Sequence, residues 1–211
     1  MHHVNKGPSP ENLKAISTKY TPGWVNFYKF KIGKKPTDRK WQEFLDPLKD
    51  IFGECCGYCE GYCDGEVDHL KPKKRFPEEV YNWDNWVYSC HVCNNKKGEK
   101  WSSLGFLDPC SGDTFCDTPY CFEYELDTGV IKPNPKLNRR NRKSAQKTID
   151  SLKLNRSNNL KSRIHHICLL ESLVRSSKTG DEWAIGKLAE WSLPKAQYFS
   201  LTMYFREVNN I

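Results

Sequence analysis

Two Cys-x-x-Cys pairs, Cys56–Cys59 and Cys90–Cys93, constrain this 211-residue chain more than any other feature. Each pair sits in a turn-like setting. Two thiolates from each knuckle close one tetrahedral site, and four thiolates suit zinc. Cys55 and Cys63 compete for the first half of that site; the matching two-residue gaps favour Cys56 and Cys59. A zinc staple alone gives no reason for what lies between and beside the pairs. Asp68 and His69 stand together midway, and Asn94 directly follows the last cysteine.

Those extra residues suit phosphodiester hydrolysis. That reaction needs an activated water, a charge sink for the developing phosphorane and leaving oxygen, and fixed geometry. His69 can take the proton from water, and Asp68 can ligate a hard divalent cation that keeps open positions for phosphate oxygens. Successive strand residues point to opposite faces, so both converge on one phosphate only at a bulge or a strand end.

The run from Cys56 to Lys97, with Val67-Asp-His-Leu-Lys-Pro72, Trp83-Asp-Asn-Trp86 and Cys90-His-Val-Cys-Asn-Asn-Lys-Lys97, resembles the HNH nuclease family. The implied fold class is α+β: a zinc-braced ββα-metal module inside a mainly helical protein. The resemblance makes His69 the general base and Asp68 a metal ligand. It gives Asn85 the task of holding the loop that carries His69. Asn94 stands where many members have His, so the chain resembles the HNN variant, with Asp68 and Asn94 holding catalytic magnesium or manganese. Lys97 matches a basic residue that faces substrate phosphate, and Lys71 and Lys73 are expected to contact nucleic acid as well. The one structural zinc, its shell filled by Cys56, Cys59, Cys90 and Cys93, has no position for water and holds the hairpin to the helix.

A narrower resemblance extends over most of residues 1–165. His3-Val-Asn-Lys-Gly-Pro-Ser-Pro10, Leu107-Asp-Pro109 and Thr148-Ile-Asp-Ser-Leu-Lys-Leu-Asn155 look like segments of the HNH proteins of Septu-type antiphage systems, including retron-linked ones. It implies an effector nuclease paired with an ABC-type ATPase, acting on phage DNA or host tRNA. Asp68 stands where these proteins often carry Glu. The alternative is a zinc-stabilised nucleic-acid-binding or interaction subunit that does not cut.

Charge is unevenly placed. Residues 51–131 carry 7 basic and 15 acidic side chains, and residues 132–180 carry 13 and 2. An acidic segment beside a basic one suits a cation site next to a phosphate-tracking surface, with Arg139, Arg140, Arg142 and Lys143 as its densest part. No apolar run reaches membrane-helix length and the opening residues lack a signal-peptide core, so the expected location is the cytoplasm. There clustered cysteines more often hold metal than form disulfides.

Four regions are expected. Residues 1–52 form an arm, broken by Pro8, Pro10, Pro22, Gly23, Gly33 and Pro36, then a helix begun at Thr37-Asp38. Residues 53–101 form the metal module. Residues 102–135 form a loop and a hairpin in which Phe122, Tyr124 and Leu126 alternate with Glu123 and Glu125. Residues 136–211 form a basic helical region. Cys110, Cys116 and Cys121 are read as buried thiols, and His165-His166 as structural or phosphate-facing.

Overall fold

The computed structural model describes all residues 1–211. Three short elements carry the chemistry: strand β1 (Gly65–His69), strand β2 (Trp86–Cys90) and helix α3 (His91–Lys97). The strands pair antiparallel, with Asp68 opposite Val87 and His69 opposite Trp86. Trp86 and Val87 point to opposite faces of β2 and both are fully buried, so the strand is packed on two sides. Close approach explains one glycine here. A Cβ on Gly57 would lie 2.7 Å from the Phe52 ring and 2.8 Å from Val87.

Upstream, α1 (Glu11–Val25) is followed by one π turn over Asn26–Phe30. The expected arm is therefore a real helix. Pro22 lies in its last turn, where the lost N–H removes one bond from a helix already formed, and buried Leu13 and Trp24 anchor it. Asp38 starts no helix either. It accepts from Trp24 Nε1 at 3.1 Å and from the Tyr81 hydroxyl. A 3₁₀ turn over Lys40–Phe44 leads into α2 (Leu45–Ile51), with Pro47 in its first turn, and α2 packs on both strands.

Downstream, β3 (Phe122–Tyr124) and β4 (Ile131–Pro133) form the hairpin. Then come α4 (Arg139–Leu152), α5 (Ser157–Ser177), α6 (Glu182–Trp191) and α7 (Phe199–Asn209). Asn138 caps α4 by accepting the Asn141 N–H at 2.9 Å, and Asp181 caps α6 through Ala184 N–H at 3.2 Å. Helix α4 packs on α3 and β4, α5 on α6 and α7, and α7 on β3. Within the helical pattern Cys168 faces solvent, while His166 is buried, bonds Thr202 at 2.9 Å and stacks on Trp191. His166 is structural. One continuous core of 35 buried apolar side chains runs from Trp41 and Trp86 through Leu107 and Phe122 to Leu201, so the metal module and the helices share an interior. No helix is long and apolar enough to cross a membrane.

Candidate active site

At Cys90 the chain passes from strand to helix. Its backbone is extended, and its Sγ accepts the Cys93 N–H at 3.4 Å as the N-cap of α3. The Sγ atoms of Cys56, Cys59, Cys90 and Cys93 lie within 4.8 Å of one another, those of Cys59 and Cys90 at 4.0 Å. A tetrahedron built on Zn–S bonds of about 2.3 Å has sulfur–sulfur edges of ~3.8 Å. The donor set therefore fits zinc. The thiols push one another apart when no cation is present. Burial drives Cys56 up and hydrogen bonding to Cys56 drives Cys93 up, while bonds to Cys56 draw Cys59 and Cys90 down. One doubly charged cation satisfies all four.

The Arg156 guanidinium, from the turn before α5, donates to Cys93 Sγ at 3.7 and 3.8 Å and offsets part of the charge of a tetrathiolate site. Cys55 and Cys63 stand outside the cluster. Burial pushes both thiols up to about 12, and Cys55 Sγ faces the Lys195 carbonyl at 3.8 Å. Cys110 and Cys121 are thiols pushed up to about 12 by burial, whereas Cys116 is exposed, unlike the buried thiol expected.

The second polar centre lies at the end of β1, in a cleft of about 220 Å³ lined by Asp68, His69, Lys73, Asn94 and Lys97 among others. His69 is the last residue of β1, and the strand end is what lets neighbouring Asp68 and His69 share one cleft. The His69 ring is 3% exposed and held edge-on by Trp41 at 4.9 Å and Trp86 at 6.3 Å. Its Nε2 lies 2.9 Å from the Val80 carbonyl, which also accepts from Trp86 Nε1 at 3.0 Å. A carbonyl only accepts, so Nε2 carries the proton and the Nδ1 lone pair is left free. Nδ1 makes no bond within the protein, yet it is not sealed from solvent. Burial first, then Lys73, lowers the ring to about 3, so it is neutral near pH 7.

Asn85 ties down the loop that follows. Its Oδ1 accepts the Lys71 N–H at 2.7 Å, and its Nδ2 donates to the carbonyls of Lys71 at 3.1 Å and Glu79 at 3.0 Å. Asp68 is 3% exposed. Its Oδ2 accepts from the Tyr58 hydroxyl at 2.6 Å and its Oδ1 from Lys97 Nζ at 2.9 Å. Asn94 lines the cleft from α3, with an amide that makes no hydrogen bond within the protein. A carboxylate and a free amide oxygen on one cleft fit a hard cation such as magnesium or manganese.

Two of the three lysines, Lys97 and Lys71, are placed differently from expectation. Lys97 does not face outward to a phosphate. It is 1% exposed, because a buried carboxylate needs a partner, and its ammonium bonds Asp68 and the His69 carbonyl at 2.7 Å. Lys71 is paired with Glu79 at 2.7 Å. Lys73 lines the cleft and lies 5.3 Å over the Trp41 ring. Arg139, Arg140, Arg142 and Lys143 are exposed on the first turns of α4 and line no part of this cleft; Arg140 borders a separate cavity. Tyr58, Trp41, Arg156 and the Val80 carbonyl escaped the sequence reading. Only Tyr58, inside the first knuckle, carried a positional hint.

Residues 56–100 match the family model described as HNH endonuclease. The chain is 31% identical over 98 residues to the Septu protein PtuB of Bacillus thuringiensis, covering 46% of this chain and 37% of that one. It is 30% identical over 126 residues to a retron Vc95 HNH endonuclease candidate of Vibrio cholerae serotype O1 biovar El Tor, covering 53% and 57%. The chain thus spans about half the length, or less, of the curated relatives it matches. The match begins at Cys56, runs past Cys93 and α3 to Lys100, and contains the Asp68–His69 strand end, Asn85 and Asn94, so residues 56–100 are an HNH module.

Proposed function

We propose that the protein is a metal-dependent endonuclease that hydrolyses phosphodiester bonds in the cleft between β1 and α3. The histidine geometry is what supports this most: the proton on Nε2 is committed to Val80, so Nδ1 presents a lone pair to the cleft. His69 takes the proton from the attacking water. Asn85 holds the loop behind it, and Asp68 and Asn94 would hold a divalent cation. When bound, that cation supplies the positive charge that the phosphorane and leaving oxygen require. The burial that keeps His69 neutral also makes it a weak base, and a phosphate anion entering the cleft strengthens it by favouring the protonated ring. A zinc held by Cys56, Cys59, Cys90 and Cys93 would keep β2 and α3 in place, with no open position for water.

The relatives from Septu and retron systems support a wider reading as the cytoplasmic effector of an antiphage system, cutting phage DNA or host tRNA beside an ABC-type ATPase. One observation favours the non-cutting alternative: both Asp68 oxygens already have protein partners. A cleavage assay with magnesium on plasmid, single-stranded DNA and tRNA separates the two. The wild type should cut, and His69→Ala should lose on the order of 10² to 10⁴ in rate with zinc content and thermal stability retained. A His69→Ala protein that cuts at the wild-type rate would overturn the assignment. So would a zinc-loaded wild type that binds all three substrates and cuts none.

A further inference from the structure

A second, larger cavity of about 500 Å³ adjoins the cleft and shares Val67, Lys73, Lys74 and Asn94 with it. Its volume falls within the range of roughly 300–1,000 Å³ that small-molecule sites occupy. The far wall comes from the end of α1 and the segment after it, outside the matched module. Trp24 and Tyr28 stack there, ring centroids 5.7 Å apart and planes 14° from parallel. Trp24 is buried and fixed by Asp38 and by the edge of Trp41, whereas Tyr28 is only half-buried and its hydroxyl bonds nothing in the protein.

Three cations line the same cavity without a carboxylate partner: exposed Lys35, exposed Arg39 and half-buried Lys73. The two acids on the wall are otherwise engaged, Asp38 with Trp24 and Tyr81, Glu66 with His91. Phe27 meets the Tyr28 ring at 4.9 Å and 85°, and the half-buried stack, with unpaired cations lining the same cavity, is chemistry for a planar base flanked by phosphates. Asn94 lies on both cavities, so an occupant of the second is adjacent to whatever phosphate occupies the first.

We infer that this cavity is a subsite for the unpaired nucleotide next to the scissile phosphate, so that the protein cuts single-stranded nucleic acid. The inference rests on the nuclease reading. A base stacked on Tyr28 is not paired in a duplex. Lys35, Arg39 and Lys73 hold the neighbouring phosphates. The shared chemistry does not distinguish DNA from RNA.

The test is binding without cleavage. In a His69→Ala background, labelled single-stranded DNA, single-stranded RNA and the matched DNA duplex are titrated by fluorescence anisotropy. Either single strand should bind at least tenfold more tightly than the duplex. Tyr28→Ala should cost the single strand about tenfold and leave the duplex unchanged, with Tyr28→Phe restoring the loss. An exposed-site variant, Lys35→Ala with Arg39→Ala, keeps the test valid if Tyr28→Ala misfolds; it should lower the single-strand salt slope by about 1.4. Equal affinity for duplex and single strands, or Tyr28→Ala and the lysine–arginine variant both binding as the parent does, overturns the subsite. Cleavage by His69-intact protein is scored separately. Cutting of duplex and single strand at equal rates removes the subsite and leaves the nuclease, while preferential single-strand binding with no cutting removes the nuclease reading and leaves the subsite.

Discussion

In the cleft, Asp68 and Lys97 neutralise each other at 2.9 Å, nearly sealed from water. At the start of α4, Arg139, Arg140, Arg142 and Lys143 stand in solvent with no carboxylate against them. The α4 run is also on the wrong end of its helix. Cations in a first turn oppose the macrodipole and cost up to about 0.3–1 kcal/mol each. The buried pair fixes geometry and is felt through stability. The exposed run makes a field reaching about 8 Å at physiological salt, and is felt through ionic strength. A sequence shows both only as charged letters; burial decides which kind each one is.

The largest effect expected on the buried side is loss of zinc. Structural zinc sites contribute on the order of 10–16 kcal/mol of apparent binding energy, so Cys56→Ser or Cys90→Ser should give zinc-free, insoluble or loosely folded protein. Cys55→Ser and Cys63→Ser should retain one zinc per chain by elemental analysis. If those two lose the metal instead, the ligand set is wrong.

Lys97→Met comes next. It leaves the buried Asp68 carboxylate with only the Tyr58 hydroxyl, and breaking such a pair costs about 3–5 kcal/mol in urea unfolding. Magnesium should recover more stability in Lys97→Met than in the wild type, because a bound cation replaces the missing charge. A variant as stable as the parent would place Lys97 with the exposed cations after all.

Protonation gives a smaller effect. Burial lowers His69 to about 3 and His166 to about 4, below the unfolded value of 6.5. In that window the unfolded chain binds protons the folded chain refuses. Stability is therefore full above about pH 6.5 and falls as pH drops, by up to about 1.4 kcal/mol per unit for each group. His166→Gln should flatten the slope between pH 6 and 4 in urea titrations, and an unchanged slope would remove His166 from the account.

The smallest stability change belongs to the exposed run. Neutralising all four α4 cations should alter unfolding by a fraction of the Lys97 effect, toward greater stability, while lowering the salt slope of duplex binding by up to about 3.6 units. Sequence-independent weakening is expected, since phosphate contacts position a protein without reading bases. An unchanged slope would reassign the run to a partner surface.

The zinc knuckles, the Asp68–His69 strand end, the β3–β4 hairpin and the helical character of residues 136–211 were legible because each is written in residues close together. Helix α1 was not, since Pro22 and Gly23 break its pattern and its anchors Leu13 and Trp24 act through tertiary packing. Nor was the direction of Lys97, whose spacing after Cys93 reveals nothing of Asp68 behind it. Arg156 meets Cys93 across 63 positions and Lys6 reaches the Trp83 carbonyl across 77. No local pattern encodes a partner that far away.

The first knuckle is clasped by the far end of the chain. Glu60, between Cys59 and Cys63, accepts the Tyr198 N–H on its carbonyl at 3.1 Å, and its carboxylate takes the Ser200 N–H at 3.3 Å and bonds His2 at 2.6 Å. On a ribosome adding about 5–20 residues per second, the zinc ligands are out on the order of ten seconds before Ser200. Through that interval the four cysteines are all present while the Glu60 carboxylate still lacks Ser200. The closure around the four cysteines is local, whereas the Glu60 contacts with Tyr198 and Ser200 wait on residues more than a hundred positions downstream. A chain assembled in this order closes its first knuckle fully only after synthesis has passed Ser200.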